Sequence, residues 1–340
     1  MYDKGLNELA EISRYAGENQ AYVQGGGGNT SVKLDGEMMA IKASGCRLSD
    51  MTPSRGFVAV NYKAILKYHA ETEKGQPGRD YNKEVMAAAI ESIRTVNGEA
   101  AKRPSVEAGF HAVLGRCVLH THAAYVNVCL CAEEGPARAA ETLKKAGIGS
   151  IHIPYETPGY YLTEKIAEAL RQRSDKPDAI LMGNHGLVVQ AETAQACKDL
   201  HEAANRALIR ALDLPGFPVC TIQAVEGGYA STNEWLLEKS RDQALMETAF
   251  TAPLYPDQLV YLGGARENCK ITIGDGAILY RAQEAEALAM EETLSGVAYV
   301  ADCIRKLGWK LKTMDEQAVR YITGWDSESY RKKQMAGEEK

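Results

Sequence analysis

Two of the chain's seven histidines, His120 and His122, stand one residue apart in "VLHTHAAYVNV", 118–128, a run that otherwise reads as a buried strand. Side chains at i and i+2 of a strand project to the same side, so both imidazoles face one point, as two ligands of one metal ion would. A third imidazole is available in "LMGNHGLVVQ", where His185 sits between Asn184 and Gly186 at a turn between two apolar runs. Flanking strands can hold such a turn rigid and aim its side chain into a cleft. Taken alone, His185 is more often an ordinary core or surface histidine than a ligand, and an HxH pair is as readily hydrogen-bonded at a sheet edge as metal-ligating. Together, three imidazoles suit a catalytic divalent metal, Zn²⁺ first, with positions left open for substrate oxygens.

Upstream, "RPSVEAGFHAVL" places Glu107 near the start of a helix that leads into the HxH strand. A first-turn glutamate favours the helix dipole whatever else it does. Beside a metal it is also a base and acid, and partial desolvation is expected to raise its pKa toward neutrality. His111 follows at i+4 on the same face, either supporting the site or simply packed. The run "GGGGNTSVK" is neither GxGxxG nor Walker A. Gly28 and Asn29 in a turn, with Thr30 and Ser31 after them, can still present donors to an anion, and "IKASG" repeats that chemistry with Lys42, Ser44 and Gly45.

These motifs need elements to hold them. Residues 2–16 carry apolar residues at helical spacing and end at a glycine; 21–45 read as a turn and two short strands joined by "LDGE". "NYKAILKYHAET", "NKEVMAAAIESIRTV", "SVEAGFHAVL", "PARAAETLKKAG", "LTEKIAEALRQRS" and "TAQACKDLHEAANRALIRALDL" read as helices, and "PDAILMGNHGLVVQ" as strand-turn-strand. The class is α/β. After "LPGFPV" near 215 the pattern changes to a helical stretch at 232–249, the segment "TAPLYPDQLVYLGG", strands around "CKITIGDGAILYRA" and a long helix through "AQEAEALAMEETLSGVAYVADCIRKLG". Residues 1–215 are therefore expected to form a catalytic domain and 216–340 an extension packed on or appended to it.

With 340 residues, 45% of them hydrophobic, the chain can bury a substantial core. A net charge of −6 gives no general attraction to nucleic acid or anionic membrane, so anion recognition must be local and a small molecule is the expected partner. No apolar run approaches the roughly 20 residues that span a bilayer, and the opening residues do not resemble a signal peptide. A cytoplasmic location is expected. The eight cysteines are scattered, with only Cys129 and Cys131 close together, which fits reduced and mostly buried thiols.

In combination and order, "GGNTSVK", "IKASG", "PSVEAGFH", "LHTHA" and "GNHGLVV" resemble the class II aldolase/adducin family, the group of fuculose-1-phosphate and rhamnulose-1-phosphate aldolases, over about residues 5–212. The resemblance implies a central, largely antiparallel sheet flanked by helices in three αβα layers, assembled as a homo-oligomer, commonly a C4 tetramer. It makes His120, His122 and His185 the ligands of Zn²⁺ or another divalent metal and Glu107 the catalytic carboxylate. Asn29, Ser44, Gly45 and Ser105 align with the family's phosphate-binding positions, and Gly28 and Lys42 of the two donor-rich turns are expected beside them around a sugar phosphate. Val106 stands where the aldolases usually have a second serine, which removes one phosphate donor. The segment after 216 resembles the extension of the aldolase part of bifunctional rhamnulose-phosphate aldolase/dehydrogenases; without a GxGxxG unit, no dehydrogenase activity is expected.

The implied reaction is reversible aldol cleavage of a ketose 1-phosphate to dihydroxyacetone phosphate and an aldehyde, with Glu107 moving the proton at the enediolate carbon. A second proton carrier is needed, and Tyr125, just after the HxH pair, is the expectation. The same site could serve pentulose-phosphate 4-epimerisation, sugar-acid decarboxylation or thiosugar-phosphate dehydration. A non-catalytic adducin-like binding module would not need the complete set of three histidines and a glutamate.

Overall fold

Alternation along "CVLHT" decides the layering. Val118 shares one apolar cluster with Phe110, Ile180, Met182 and Val188, while Cys117 and Leu119 join the opposite cluster with Leu181, Leu187 and Val189. Period-2 burial of this kind is what a strand buried on both faces produces. The structure is a computed structural model describing residues 2–96 and 102–324.

Eight strands form the main sheet: β1 (Asn29–Lys33), β2 (Met38–Lys42), β3 (Phe57–Asn61), β4 (Ile93–Arg94), β5 (Cys117–Thr121), β6 (Ser150–Ile153), β7 (Ala179–Met182) and β8 (Gly186–Ala191). Their order is β4-β3-β2-β1-β5-β8-β7-β6, and every neighbouring pair is antiparallel except β6 with β7. Helices Asp3–Gly17, Ala124–Leu130, Gly135–Lys145 and Ala194–Leu212 bury their apolar stripes on one face. Helices Tyr62–Glu71, Tyr81–Glu91, Ala108–Val113 and Tyr160–Arg171 cover the other. This is the three-layer, largely antiparallel α/β arrangement that the sequence motifs imply.

Three local expectations are corrected. The strand expected across 118–128 ends at Thr121, and Ala124–Leu130 is a helix. Six of that helix's seven residues are buried, so its run "AYVNVCL" lacks the polar face that would have revealed its period. The helical stretch at 232–249 is two helices, Glu234–Lys239 and Gln243–Thr251, each started by its own cap, Asn233 accepting from Leu236 N–H and Asp242 from Leu245 N–H. Residues 92–96 leave their expected helix at Ser92, and Ile93–Arg94 pairs with β3.

Beyond 215, β9 (Ile222–Val225), β10 (Gly228–Ser231), β11 (Ile271–Gly274) and β12 (Ala277–Tyr280) form a second antiparallel sheet in the order β11-β12-β10-β9. The helix Glu284–Lys306 follows. Every residue from Ala289 to Ile304 is buried, so this helix has no solvent face in its middle and behaves as a core helix. Its Leu294, Val297 and Tyr299 belong to the same apolar cluster as Leu9, Leu119 and Val189. Of the segment 216–340, residues 325–340 lie outside the described residues. Among the described residues no helix is long and apolar enough to cross a membrane, and all eight cysteines are free thiols.

Candidate metal centre

Sheet register assembles the centre. Antiparallel pairing of β1 with β5 sets Asn29 opposite His120, and β8 on the other side sets His120 opposite Val188. His122 follows β5 directly, and the tight turn from Met182 to Gly186 carries His185. Asn184 in that turn has φ +51, a left-handed conformation that asparagine tolerates better than most residues. Its amide donates to Leu254 O at 2.9 Å and Lys312 O at 2.7 Å, so the extension pins the turn. The main chain leaves β2 alongside 103–105, where Ser105 N–H donates to Lys42 O and Ser44 N–H to Arg103 O, which brings Glu107 under the imidazoles.

One ligand nitrogen from each of His120, His122 and His185 lies within 4.8 Å of the others, and all three rings are buried. His120 Nδ1 faces Leu187 O at 3.1 Å, a carbonyl that can only accept, and His122 Nδ1 faces the Asp257 carboxylate. Both rings therefore carry hydrogen on Nδ1 and a lone pair on Nε2. Those two Nε2 atoms stand 3.1 Å apart. Two acceptors pointed at each other repel unless a cation lies between them. Zn–N bonds of about 2.0–2.1 Å in a tetrahedron place neighbouring ligand nitrogens about 3.3 Å apart, so the spacing fits a bound divalent ion.

Glu107 completes the cluster: its Oε1 lies 3.3 Å from His185 Nε2 and its Oε2 3.5 Å from His120 Nε2. The two oxygens have different partners. Oε2 accepts from the Asn29 amide at 2.6 Å, whereas Oε1 has no hydrogen-bond partner among the described residues. Asn29 Oδ1 accepts in turn from His111 Nε2–H, and His111 Nδ1 accepts from the Ser31 hydroxyl at 2.7 Å. His111 thus acts at one remove from the carboxylate. Burial alone would raise the Glu107 pKa, the direction expected from sequence; His120, His185 and the Asn29 hydrogen bond outweigh it and hold the carboxyl down to about 2. Burial lowers His120 to about 4 and His185 to about 3 against the opposing pull of Glu107. At neutral pH His120 and His185 are therefore neutral and Glu107 is ionised, the protonation states that bind a cation.

The anion-binding expectations come together only in part. Ser105 Oγ accepts from Asn29 Nδ2 at 3.1 Å and from Glu107 N–H at 3.3 Å, so this hydroxyl positions the glutamate. Lys42 Nζ donates to Gly26 O at 3.0 Å, and Ser44 and Gly45 follow it, Gly45 with φ +82. Gly28 has φ +66, and a Cβ there would lie 2.7 Å from His120 O. Tyr125 is not brought to the centre: its hydroxyl accepts from Phe217 N–H at 3.0 Å, and its ring packs edge-on against Tyr299. Tyr155 lies nearer. Its hydroxyl is buried without a hydrogen-bond partner among the described residues, and burial, with Glu156, Asp315, Tyr321 and Glu107 in its field, pushes its pKa well up.

The profile of the family described as Class II Aldolase and Adducin N-terminal domain matches residues 7–211. The chain belongs to this class II aldolase and adducin family. A relative within reach of the aldolase segment is "Uncharacterized oxidoreductase YuxG" of Bacillus subtilis strain 168, 30% identical over 206 residues. That match takes in 57% of this chain and only 27% of the longer Bacillus protein. The 3-oxo-tetronate 4-phosphate decarboxylase of Haemophilus influenzae is 26% identical over 201 residues, 55% of this chain and 79% of that enzyme. Among solved structures, the N-terminal class II aldolase domain of a conserved Thermoplasma acidophilum protein superposes with a TM-score of 0.52 at 22% identity, over 62% of this chain and 95% of that one. The class II aldolase profile ends at residue 211, so three residues that touch the centre or its glycine loop lie outside it: Asp257, Tyr261 and Glu292. Sequence reasoning missed all three, since 135 positions separate Asp257 from its histidine and no local pattern links them.

Proposed function

We propose that this chain catalyses the reversible aldol cleavage of a ketose 1-phosphate to dihydroxyacetone phosphate and an aldehyde, using a divalent cation, Zn²⁺ first, held by His120, His122 and His185. The observation that carries this reading is the convergence of three imidazole nitrogens on an ionised Glu107 whose Oε1 has no hydrogen-bond partner among the described residues. A cation held there would supply Lewis acidity to the substrate's carbonyl and neighbouring hydroxyl oxygens.

The chain's own groups handle the protons. In the condensation direction, Glu107 Oε1 takes a proton from the carbon beside the carbonyl, a role that needs the ionised form. Asn29 keeps Oε2 engaged, so the carboxylate meets substrate through one oxygen. The electron pair freed at that carbon forms the new bond to the aldehyde carbon, and the aldehyde oxygen gains a proton from the Tyr155 hydroxyl. In cleavage the same bond breaks and both protons return by the same routes. Lys42, Ser44 and Gly45 are the proposed seat of the phosphate.

Decarboxylation of a phosphorylated sugar acid is the second reading, favoured by the Haemophilus relative, because it too leaves an electron pair beside a carbonyl. The test is metal analysis of wild type, Glu107→Gln and His185→Ala beside product assays on ketose 1-phosphates and 3-oxo acid phosphates. Dihydroxyacetone phosphate released by metal-loaded wild type supports aldol cleavage; carbon dioxide without it moves the assignment to decarboxylation. Wild type that takes up no metal defeats both.

A further inference from the structure

We propose that Asp257, from the extension, is a positioning residue of the metal centre: it accepts the Nδ1–H of His122 and so turns the Nε2 lone pair of that ring toward the metal. The inference rests on the metal reading above and names a component of the centre from beyond the family segment. Asp257 lies in the helix Pro256–Tyr261 and is completely buried, and the imidazole it touches is buried as well. An aspartate in a first helical turn commonly serves its own helix dipole. Here a carboxylate oxygen instead bonds His122 Nδ1, on the side of the ring away from His120 and His185. That placement makes Asp257 an orienting group and not a fourth ligand.

The glycine run supplies an independent observation. A Cβ on Gly27 would overlap Asp257 Oδ2 and lie 2.8 Å from His122 Nδ1, so the loop passes over this pair with no room for a side chain. Just before Gly27 the extension grips the same loop. Gly26 N–H donates to the Tyr261 hydroxyl at 2.8 Å and Gly25 N–H to Glu292 Oε2 at 2.8 Å, while Tyr261's ring lies against Gly25. Three of the four glycines, Gly25, Gly27 and Gly28, are accounted for by close approach of the extension and of β5. A carboxylate on the remote nitrogen of a ligating imidazole fixes its tautomer and raises its basicity, and removing such partners costs about 10–100-fold in metal affinity.

The experiment measures zinc affinity by chelator competition for wild type, Asp257→Asn, Asp257→Ala and Tyr280→Phe full-length protein. Tyr280→Phe removes a buried hydrogen bond to Glu291 elsewhere in the extension and serves as the structural control. The expected result is about a 10–100-fold loss in both Asp257 variants, with Tyr280→Phe close to wild type. Unchanged affinity in the Asp257 variants, or an equal loss in Tyr280→Phe, overturns the proposal; wild type that binds no zinc defeats the metal reading instead. If the Asp257 variants do not fold, ¹⁵N NMR of zinc-loaded wild type decides: His122 protonated on Nδ1 supports the role, and His122 protonated on Nε2 overturns it.

Discussion

Glu107 depends on a relay of side chains, Ser31 to His111 to Asn29, that ends on its Oε2. Asn29→Ala leaves a buried carboxylate oxygen and a buried imidazole N–H unpaired, each at about 1–3 kcal/mol. A clear drop in unfolding free energy is expected, together with lost turnover in a variant that still holds metal. Glu107→Gln keeps the shape but cannot take a proton; turnover should fall by about 10²–10⁴ while zinc content stays near wild type, as measured by mass spectrometry beside the product assay. His201, buried on the opposite face of β5 against Thr121, gives a pH signature. Burial lowers its pKa to about 3, below the 6.5 of an unfolded chain. The unfolded state therefore takes the proton first, and stability that is complete above pH 6.5 is lost as pH falls toward 3. Between pH 7 and 5 this one ring should account for about 2 kcal/mol. Denaturant unfolding of metal-free protein at both pH values should show that much less loss in His201→Gln; an unchanged pH dependence would count against the assignment.

At the scale of elements, the strand-turn-strand around His185 and the β1–β2 hairpin were readable because alternation and turn residues sit within a few positions of each other. His120, His122, His185 and Glu107 were readable as chemistry for the same reason: each lies in a short motif whose spacing has a physical meaning. The helix after His122 was not, since burial on nearly every side erases the period. Nor were the packing contacts of the glycine run: sequence suggested a donor-rich turn for an anion, and the structure adds that the extension and β5 approach Gly25, Gly27 and Gly28 closely. Gly28→Ala tests that explanation. It would force a left-handed φ on a side-chain-bearing residue and press its Cβ against His120 O, so a loss of at least about 1–3 kcal/mol is expected in thermal or denaturant unfolding. A neutral substitution would mean the loop can move away from β5.

For the whole molecule, the informative contrast is between the family segment, which ends at 211, and the core, which does not. The helix Glu284–Lys306 fills the same apolar cluster as the first helix and β5. A chain cut after residue 215 would expose that cluster and leave Asn184, Gly25, Gly26 and His122 without the partners that hold them. It is expected to be insoluble or to lack a cooperative unfolding transition, and to retain no zinc; a folded, zinc-binding fragment would show that the first 215 residues are self-sufficient. The reach from His122 to Asp257 also sets a schedule for biosynthesis. At about 5–20 residues per second, a ribosome needs about 7–27 seconds to travel those 135 positions. Through that interval the histidine pair exists without its carboxylate, so the nascent protein cannot reach full affinity for its ion before Asp257 has been made.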